Sequence, residues 1–374
     1  MADQKLWTWG LGTLGRLGHG GTTSYSSPKQ VGALTTWAYI ATGNDHTQAV
    51  STGGTLWGWG YNGWGQLGVS NVTNYSSPKQ VGALTNWASV SGGTQFALAR
   101  KTDGTIWGMG RSDGGQVGDG TTSTRTSPVQ IGALTTWAKI EAGGGHSLAI
   151  KTDGTLWAWG AGSYGRLGLG STTNYSSPVQ VGALTDWSSV QGGSSHSHAI
   201  KTDGTLWSWG NGGFGRLGLG NATTYSSPKQ VGSLTNWATV STKLLHSAAT
   251  KTDGTLWAWG YNGFGELGDG TTTSRASPVQ VGALTTWSAV SVGNYHTLAI
   301  KTDGTLWAWG RGANGRLGLG NTTNYSSPKQ VGALTTWTSI SGSGFHSAAI
   351  TTDAAGGGEV APGAPAGART IRHR

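Results

Sequence analysis

Several residue patterns in this chain could carry chemistry. Histidine recurs at 50-residue spacing as His46, His146, His196, His246, His296 and His346, with Phe96 in the remaining place. A set of imidazoles suggests a metal centre, but metal ligands must converge within a few ångströms. These histidines sit on successive copies of one unit, so no metal is expected. The pattern G-x-G-x-x-G occurs at Gly10–Gly15, Gly160–Gly165, Gly210–Gly215 and Gly310–Gly315. Its phosphate-binding use needs a following helix, and none is predicted. Gly110–Gly114 fits G-x-S-x-G by letter, without the strand–elbow–helix setting of a hydrolase nucleophile. Asp113 adjoins Ser112, yet no histidine is placed as a base. Glu141, Glu266 and Glu359 are the only glutamates, and no acid pair interrupts the repeat to form a general acid/base site. Asn-x-Ser/Thr at Asn71, Asn74, Asn174, Asn221, Asn321 and Asn324 lies in Ser/Thr-rich loops and points to no chemistry. The reading is non-enzymatic, with no catalytic residue and no cofactor.

The elements that carry these residues repeat every 50 residues, in seven copies without insertion or deletion. Leu-Trp or Ile-Trp recurs from Trp7 to Trp307, Ser-Pro from Pro28 to Pro328, and a second tryptophan from Trp37 to Trp337. Within one copy, Trp137–Ile140 reads as a short strand A and His146–Ile150 as strand B. Thr152-Asp153-Gly154 is a tight hairpin turn. Thr155–Trp159 alternates as strand C, and Ser177–Val181 reads as strand D, with Pro178 suited to an edge. Four strands every 40 to 50 residues is the pattern of propeller blades. The chain starts on strand C and ends on strands A and B, so the two fragments complete one blade and leave no sheet edge open. The expected fold is all-β, a seven-bladed propeller over residues 1–353. Its blades span about 36–82, 86–132, 136–182, 186–232, 236–282 and 286–332, and 336–352 with 5–32. Residues 354–374, rich in Gly, Ala and Pro, are expected to form a flexible tail.

Composition agrees. Glycine supplies 68 of 374 residues, hostile to helix interiors. With 9 prolines and no G-X-Y period the chain is not collagen. Charged residues are 10%, too few for a highly charged disordered chain, and zero Cys excludes disulfides and thiol catalysis. No stretch is long and apolar enough for a membrane span and the start lacks a signal-peptide core, so a soluble chain of unassigned compartment is expected.

The motif HTLAIKTDGTLWAWGRGANGRLGLG at residues 296–320 resembles the regulator of chromosome condensation repeat. The likeness covers about residues 5–352, and every motif recurs in fixed phase. It implies a seven-bladed propeller whose sequence repeat is offset from its blade, and a structural histidine bonded within its own blade. Near-identity of the copies resembles bacterial and phage members, which implies a surface or virion component.

The copies differ on one face, formed by the A–B and C–D loops. There the chain carries Tyr61, Trp64, Tyr164, Phe214, Tyr261, Phe264, Tyr295 and Phe345. Lys243, Leu244 and Leu245 replace a Gly-rich norm, and Arg16, Arg166, Arg216, Arg311 and Arg316 supply charge. Aromatics and arginines on short loops over a rigid scaffold are typical of interface hot spots. Two readings of Trp64, Tyr164, Phe214 and Phe264 stay open: binding, or packing between blades. The net charge of +9 is drawn partly from these arginines and partly from Arg369, Arg372 and Arg374. It implies weak polyanion attraction, without the Lys/Arg run or motif of a sequence-specific nucleic-acid binder. The leading function is recognition of a protein or glycan. The alternatives implied by the resemblance are nucleotide exchange on a small GTPase and inhibition of an enzyme. The exchange factor of the family uses an inserted wedge, and this chain has no insertion.

Overall fold

The Asp-Gly hairpin shows how each copy is driven into strands. The Asp153 carboxylate accepts from the Thr155 amide at 2.9 Å and hydroxyl at 2.6 Å. Gly154 turns the chain at φ +76°, where a side chain would be strained. The Thr155 hydroxyl then accepts from the Trp157 indole at 2.9 Å. Three residues of turn chemistry therefore fix the register of B against C and orient the first tryptophan of strand C. These hydrogen bonds hold the Asp153 carboxyl below its ordinary range.

The computed structural model describes residues 3–353. The tail expected over 354–374 lies outside the described residues. In one blade, strand A is Trp137–Ala142, B is His146–Lys151, C is Leu156–Gly160 and D is Tyr175–Gln180. Strand D begins earlier than Ser177, because Tyr175 pairs with Gly160 beyond a register shift. Seven antiparallel four-stranded sheets form, all in the order A-B-C-D. Helical structure among the described residues is confined to four single 3-10 turns. The seventh sheet joins Trp337–Gly342 and His346–Asp353 to Asp3–Gly10 and Tyr25–Gln30, which closes the ring as the sequence predicts. Its central pair runs from Asp3↔Asp353 to Gly10↔His346, where other B–C pairs stop at five residues. An ion pair between Lys5 and Asp353 at 2.8 Å secures the far end.

The core lies between blades. Leu148, Leu156 and Val181 of one blade pack on Trp187, Ala199 and Trp209 of the next, and this arrangement recurs around the ring. Truncating one such tryptophan to alanine costs about 3–5 kcal/mol. The tryptophans thus act as scaffold. Trp137 meets Trp157 edge-on at 5.9 Å, and the Lys151 ammonium lies 3.7 Å above the Trp157 ring. The hairpin lysines are therefore held by aromatic faces.

Polar bonds stitch the same seams. The Trp209 indole donates to the Arg166 carbonyl at 2.8 Å and Trp309 to that of Glu266 at 2.9 Å. Five of the repeated histidines meet a hydroxyl of the next blade, among them His146 with Ser197 at 2.9 Å, His296 with Ser347 at 2.8 Å, and His346 with Thr47 at 2.8 Å, His346 also bonding Ser343 of its own blade. Except at His346, this corrects the expectation of a bond within the blade. The register of strand B places residue 47 and its equivalents beside the neighbour's ring. Ala97 interrupts the series, and both nitrogens of His46 lack a protein partner.

Candidate functional site

The C–D loops begin with a four-residue turn closed by Gly15 N–H to Gly12 C=O at 3.1 Å and its equivalents. The side chain four residues after Gly12 decides which way the middle peptide points. In Arg16, Arg166, Arg216 and Arg316 the guanidinium Nε donates to the carbonyl three residues back, at 2.9 Å each. The residue after that carbonyl is left-handed in all four: Leu14 at φ 63°, Tyr164 at 62°, Phe214 at 59° and Asn314 at 61°. Where Gln66, Gln116 or Glu266 stands instead, its side-chain oxygen accepts the amide of Trp64, Gly114 or Phe264, at 3.0, 2.9 and 2.9 Å. None of those three has positive φ. A donor pulls the carbonyl inward and an acceptor pulls the amide inward, so the peptide is flipped between the two classes, as between type II and type I turns. Glycine at 12, 162, 212 and 312 accompanies the arginines, and Asn62, Ser112 and Asn262 accompany the acceptors.

The arginines expected as a charged face are therefore placed inside it. Arg16, Arg216 and Arg316 are buried and Arg166 is half-buried. A second nitrogen ties each to the next blade: Arg166 to Ser194 C=O at 2.9 Å, Arg216 to Leu244 C=O at 3.1 Å, Arg316 to Gly344 C=O at 3.1 Å. Arg16 instead pairs with Asp45 at 2.7 Å. Burial lowers the Arg316 guanidinium to about 10. Arg125 and Arg275 pair with Asp119 and Asp269, and Arg111 with Asp113. Much of the loop charge is thus neutralised locally, which weakens the argument for polyanion attraction.

The aromatics go the other way. Phe214 is 54% exposed, Tyr164 52% and Trp64 37%. All three reach the surface, and across blades Phe214 begins an arc with other aromatics. Phe214 meets Tyr261 edge-on at 5.4 Å, Tyr261 meets Phe264 at 6.3 Å, and Phe264 meets Tyr295 at 5.9 Å. The Arg311 guanidinium caps the arc, 4.8 Å from the Phe264 ring and 5.6 Å from Tyr295. Leu244 and Leu245 are half-buried beside it, and the Tyr261 amide donates to Leu245 C=O at 3.0 Å. Trp64 lies apart, under Arg111 at 5.0 Å. Phe345 is held between Arg16 and Arg316, at 5.7 and 5.5 Å. Tyr61 is half-buried at the base of its loop, its amide donating to Asp45 C=O at 2.9 Å. The structure thus brings Phe214, Leu244, Leu245, Tyr261, Phe264, Tyr295 and Arg311 together, and leaves Trp64, Tyr164 and Phe345 separate from them.

Lys243 is not on that face. Its ammonium crosses the axial channel to the Thr42 carbonyl of another blade, at 3.2 Å. The channel is a polar cavity of about 190 Å³ lined by the inner strands, with Glu141, Gln191, Ser241 and Ser291 among its walls. A second hollow of about 160 Å³ opens on the loop face, lined by Asn44, Ser194, Leu244 and Asn294, and Lys243 lines both. Sequence reasoning missed Glu141 as a site residue. The signal was there, since serine stands at the matching place in Ser91, Ser241, Ser291 and Ser341. The opposite face exposes Leu84, Leu134 and Leu284, each 48%, on D–A connections that the copies share.

Among the described residues, no group of three or more His, Asp or Glu is placed to hold a metal ion. Burial lowers His46, His146 and His246 to about 3, which keeps them neutral hydrogen-bonding groups.

The fold has solved relatives. Human WBSCR16 superposes with TM-score 0.83 at 20% identity, covering 93% of this chain and 99% of that one. Prp20p from Saccharomyces cerevisiae gives 0.83 at 19% identity, covering 95% and 93%. Yeast RCC1 (Prp20) in its structure with Kap60 gives 0.84 at 19% identity, covering 95% and 90%. No curated protein sequence matches the chain significantly. The family description "Regulator of chromosome condensation (RCC1) repeat" matches residues 3–50, 53–100, 103–150, 153–200, 203–249, 253–300 and 303–350. With matches along nearly all of its described length, the chain belongs to the regulator of chromosome condensation (RCC1) repeat family.

Proposed function

We propose that this chain is a non-enzymatic binding propeller that docks a protein on its A–B/C–D face. The observation that carries the reading is the arc Phe214–Tyr261–Phe264–Tyr295 capped by Arg311. Phe214 is exposed and the other three rings are half-buried beside the Arg311 cation, and aromatics with arginine are the composition of hot spots. The ring beneath is rigid, so the arc is presented with little ordering cost on binding. Relatives of this fold engage proteins: Prp20p is described with its binding to Gsp1p and histones, and yeast RCC1 with Kap60 bound. Nucleotide exchange on a small GTPase is a less supported reading, because no copy of the 50-residue unit carries an insertion to act as a wedge.

The test is photo-crosslinking from a benzoylphenylalanine placed at Phe214 or, on the opposite face, at Leu284. A protein captured from position 214 and not from 284, and lost when the same crosslinker is carried in a Tyr261→Ala/Phe264→Ala/Tyr295→Ala triple variant, supports the proposal. Hot-spot truncations of this kind cost about 2 kcal/mol or more each. Undiminished capture by the triple variant refutes it. Glycan-array binding that requires the arc, without a protein partner, assigns the arc to sugars instead.

A further inference from the structure

The axial channel holds two charges that the seven-fold repeat does not call for. Glu141 stands where four other copies have Ser91, Ser241, Ser291 and Ser341, and Lys243 where five have glycine. Glycine is favoured there for a steric reason. A Cβ at Gly143 would come 2.4 Å from the His146 ring, and one at Gly43 2.0 Å from the His46 ring. Lys243 is accommodated despite this crowding, and its side chain is sent across the channel.

No ion pair joins Glu141 and Lys243 among the described residues, and the two charges act on each other only at a distance across the channel. Glu141 accepts from the Ser91 hydroxyl at 3.1 Å and the Gln191 amide at 3.0 Å, one bond to each oxygen. Each carboxylate oxygen has a further lone pair. Lys243 donates to Thr42 C=O and keeps two N–H donors. Between them lies a polar cavity of about 190 Å³, enough for several waters or one small molecule. Isolated buried charges cost several kcal/mol each unless partnered. Burial raises the Glu141 carboxyl to about 7 and lowers the Lys243 ammonium to about 8. The walls add Ser241 and Ser291, whose oxygens are already engaged by the amides of Val292 and Gly342. Among these polar walls Glu141 and Lys243 are the anion and the cation, each with spare valences, facing a common space with neutral serine and glutamine groups.

We infer that the axial channel is a binding site for a small zwitterion of the amino-acid class, its ammonium on Glu141 and its carboxylate on Lys243. Such a molecule brings a direct partner to each charge at once, which neither a simple anion nor a simple cation does. Lys243 lines both the channel and the hollow on the loop face, and the ligand is placed in the channel, apart from the aromatic arc. The inference does not depend on the protein-docking reading.

The test is ligand-observed NMR and calorimetry on the full chain, with glycine, β-alanine and 4-aminobutyrate as probes at about 10 mM, in the mM range that binding by a few contacts gives. Acetate and methylammonium are the single-charge comparisons. The expected result is binding of at least one zwitterion, with affinity about tenfold or more above both comparisons. Glu141→Ser and Lys243→Gly each remove that binding by a similar factor. Both substitutions install residues that other copies carry at the same place, so the blades keep their fold, which thermal unfolding verifies. Absence of zwitterion binding to the wild-type chain overturns the inference. So does unchanged binding in both folded variants, or acetate binding as tightly as the zwitterions.

Discussion

The loop turn offers a sharp test of how single side chains shape the binding face. The perturbation is the double substitution Gly212→Asn/Arg216→Gln, which grafts the Asn62/Gln66 pairing of another copy onto the Phe214 loop. It removes the bonds from Arg216 to Gly213 C=O and Leu244 C=O. Bonds from a charged donor contribute roughly 1.5–3 kcal/mol each, so about 3–6 kcal/mol is lost. The introduced glutamine accepts the Phe214 amide, as Gln66 accepts Trp64, and the introduced asparagine accepts the Leu217 amide, as Asn62 accepts Leu67 at 3.0 Å. Two neutral bonds return about 2 kcal/mol, and release of Phe214 from its left-handed φ of 59° returns roughly 1–2 kcal/mol. The net from these terms is about −1 to 3 kcal/mol, and the graft folds by shifting the Thr223 carbonyl, which lies 1.9 Å from a Cβ placed at Gly212. The expected structure has Phe214 at negative φ, with its ring turned from Tyr261 toward Leu245, as Phe264 is turned toward Tyr295. A crystal structure and urea unfolding check both parts. A folded graft with Phe214 still near φ +60° refutes the donor/acceptor argument. Loss of more than about 5 kcal/mol refutes the energy estimate.

Two further outcomes follow from the buried histidines. Ala97→Ser supplies His46 with the hydroxyl that the other rings already have, and is expected to stabilise the fold by about 1 kcal/mol in urea unfolding; a destabilised variant refutes it. His198 is buried without a protein partner, 5.5 Å from the Trp259 ring, and burial lowers it from 6.5 to about 3. In the unfolded chain it takes a proton below about pH 6.5, so its neutral state favours the fold above that pH and this contribution is lost as pH falls toward about 3. His198→Leu, the residue at Leu148 and Leu298, is expected to flatten the acid loss of stability by about 1.4 kcal/mol per pH unit between pH 6 and 4. Parallel pH profiles for the variant and the wild type would contradict this.

The architecture was legible because it rests on local, repeated signals. Asp-Gly turns, alternating Leu-Trp strands and the split first and last copies dictate four strands per unit and a closed ring. The candidate site was legible only in part. Comparison of copies picked out Phe214, Tyr261, Phe264 and Tyr295, which pack edge-on across neighbouring blades while Phe214 also stands exposed at the surface. The same comparison could not show that Arg16, Arg216 and Arg316 turn inward, because a guanidinium satisfies a loop carbonyl as readily as it meets a partner. Nor could it show that Lys243 spans the channel.

The amino-acid sequence by itself determined the seven blades, their closure and the loops on which the copies diverge. Periodicity and turn chemistry act over a few residues, and repetition multiplies them. Only the tertiary structure decided which divergent residues share a surface and which are buried. That depends on contacts 28 to 201 residues apart: histidine to the next blade's hydroxyl, arginine to the next blade's carbonyl, and Lys243 to Thr42 across the axis. Such contacts are set by the curvature of the closed ring, which brings strands from different copies around one channel.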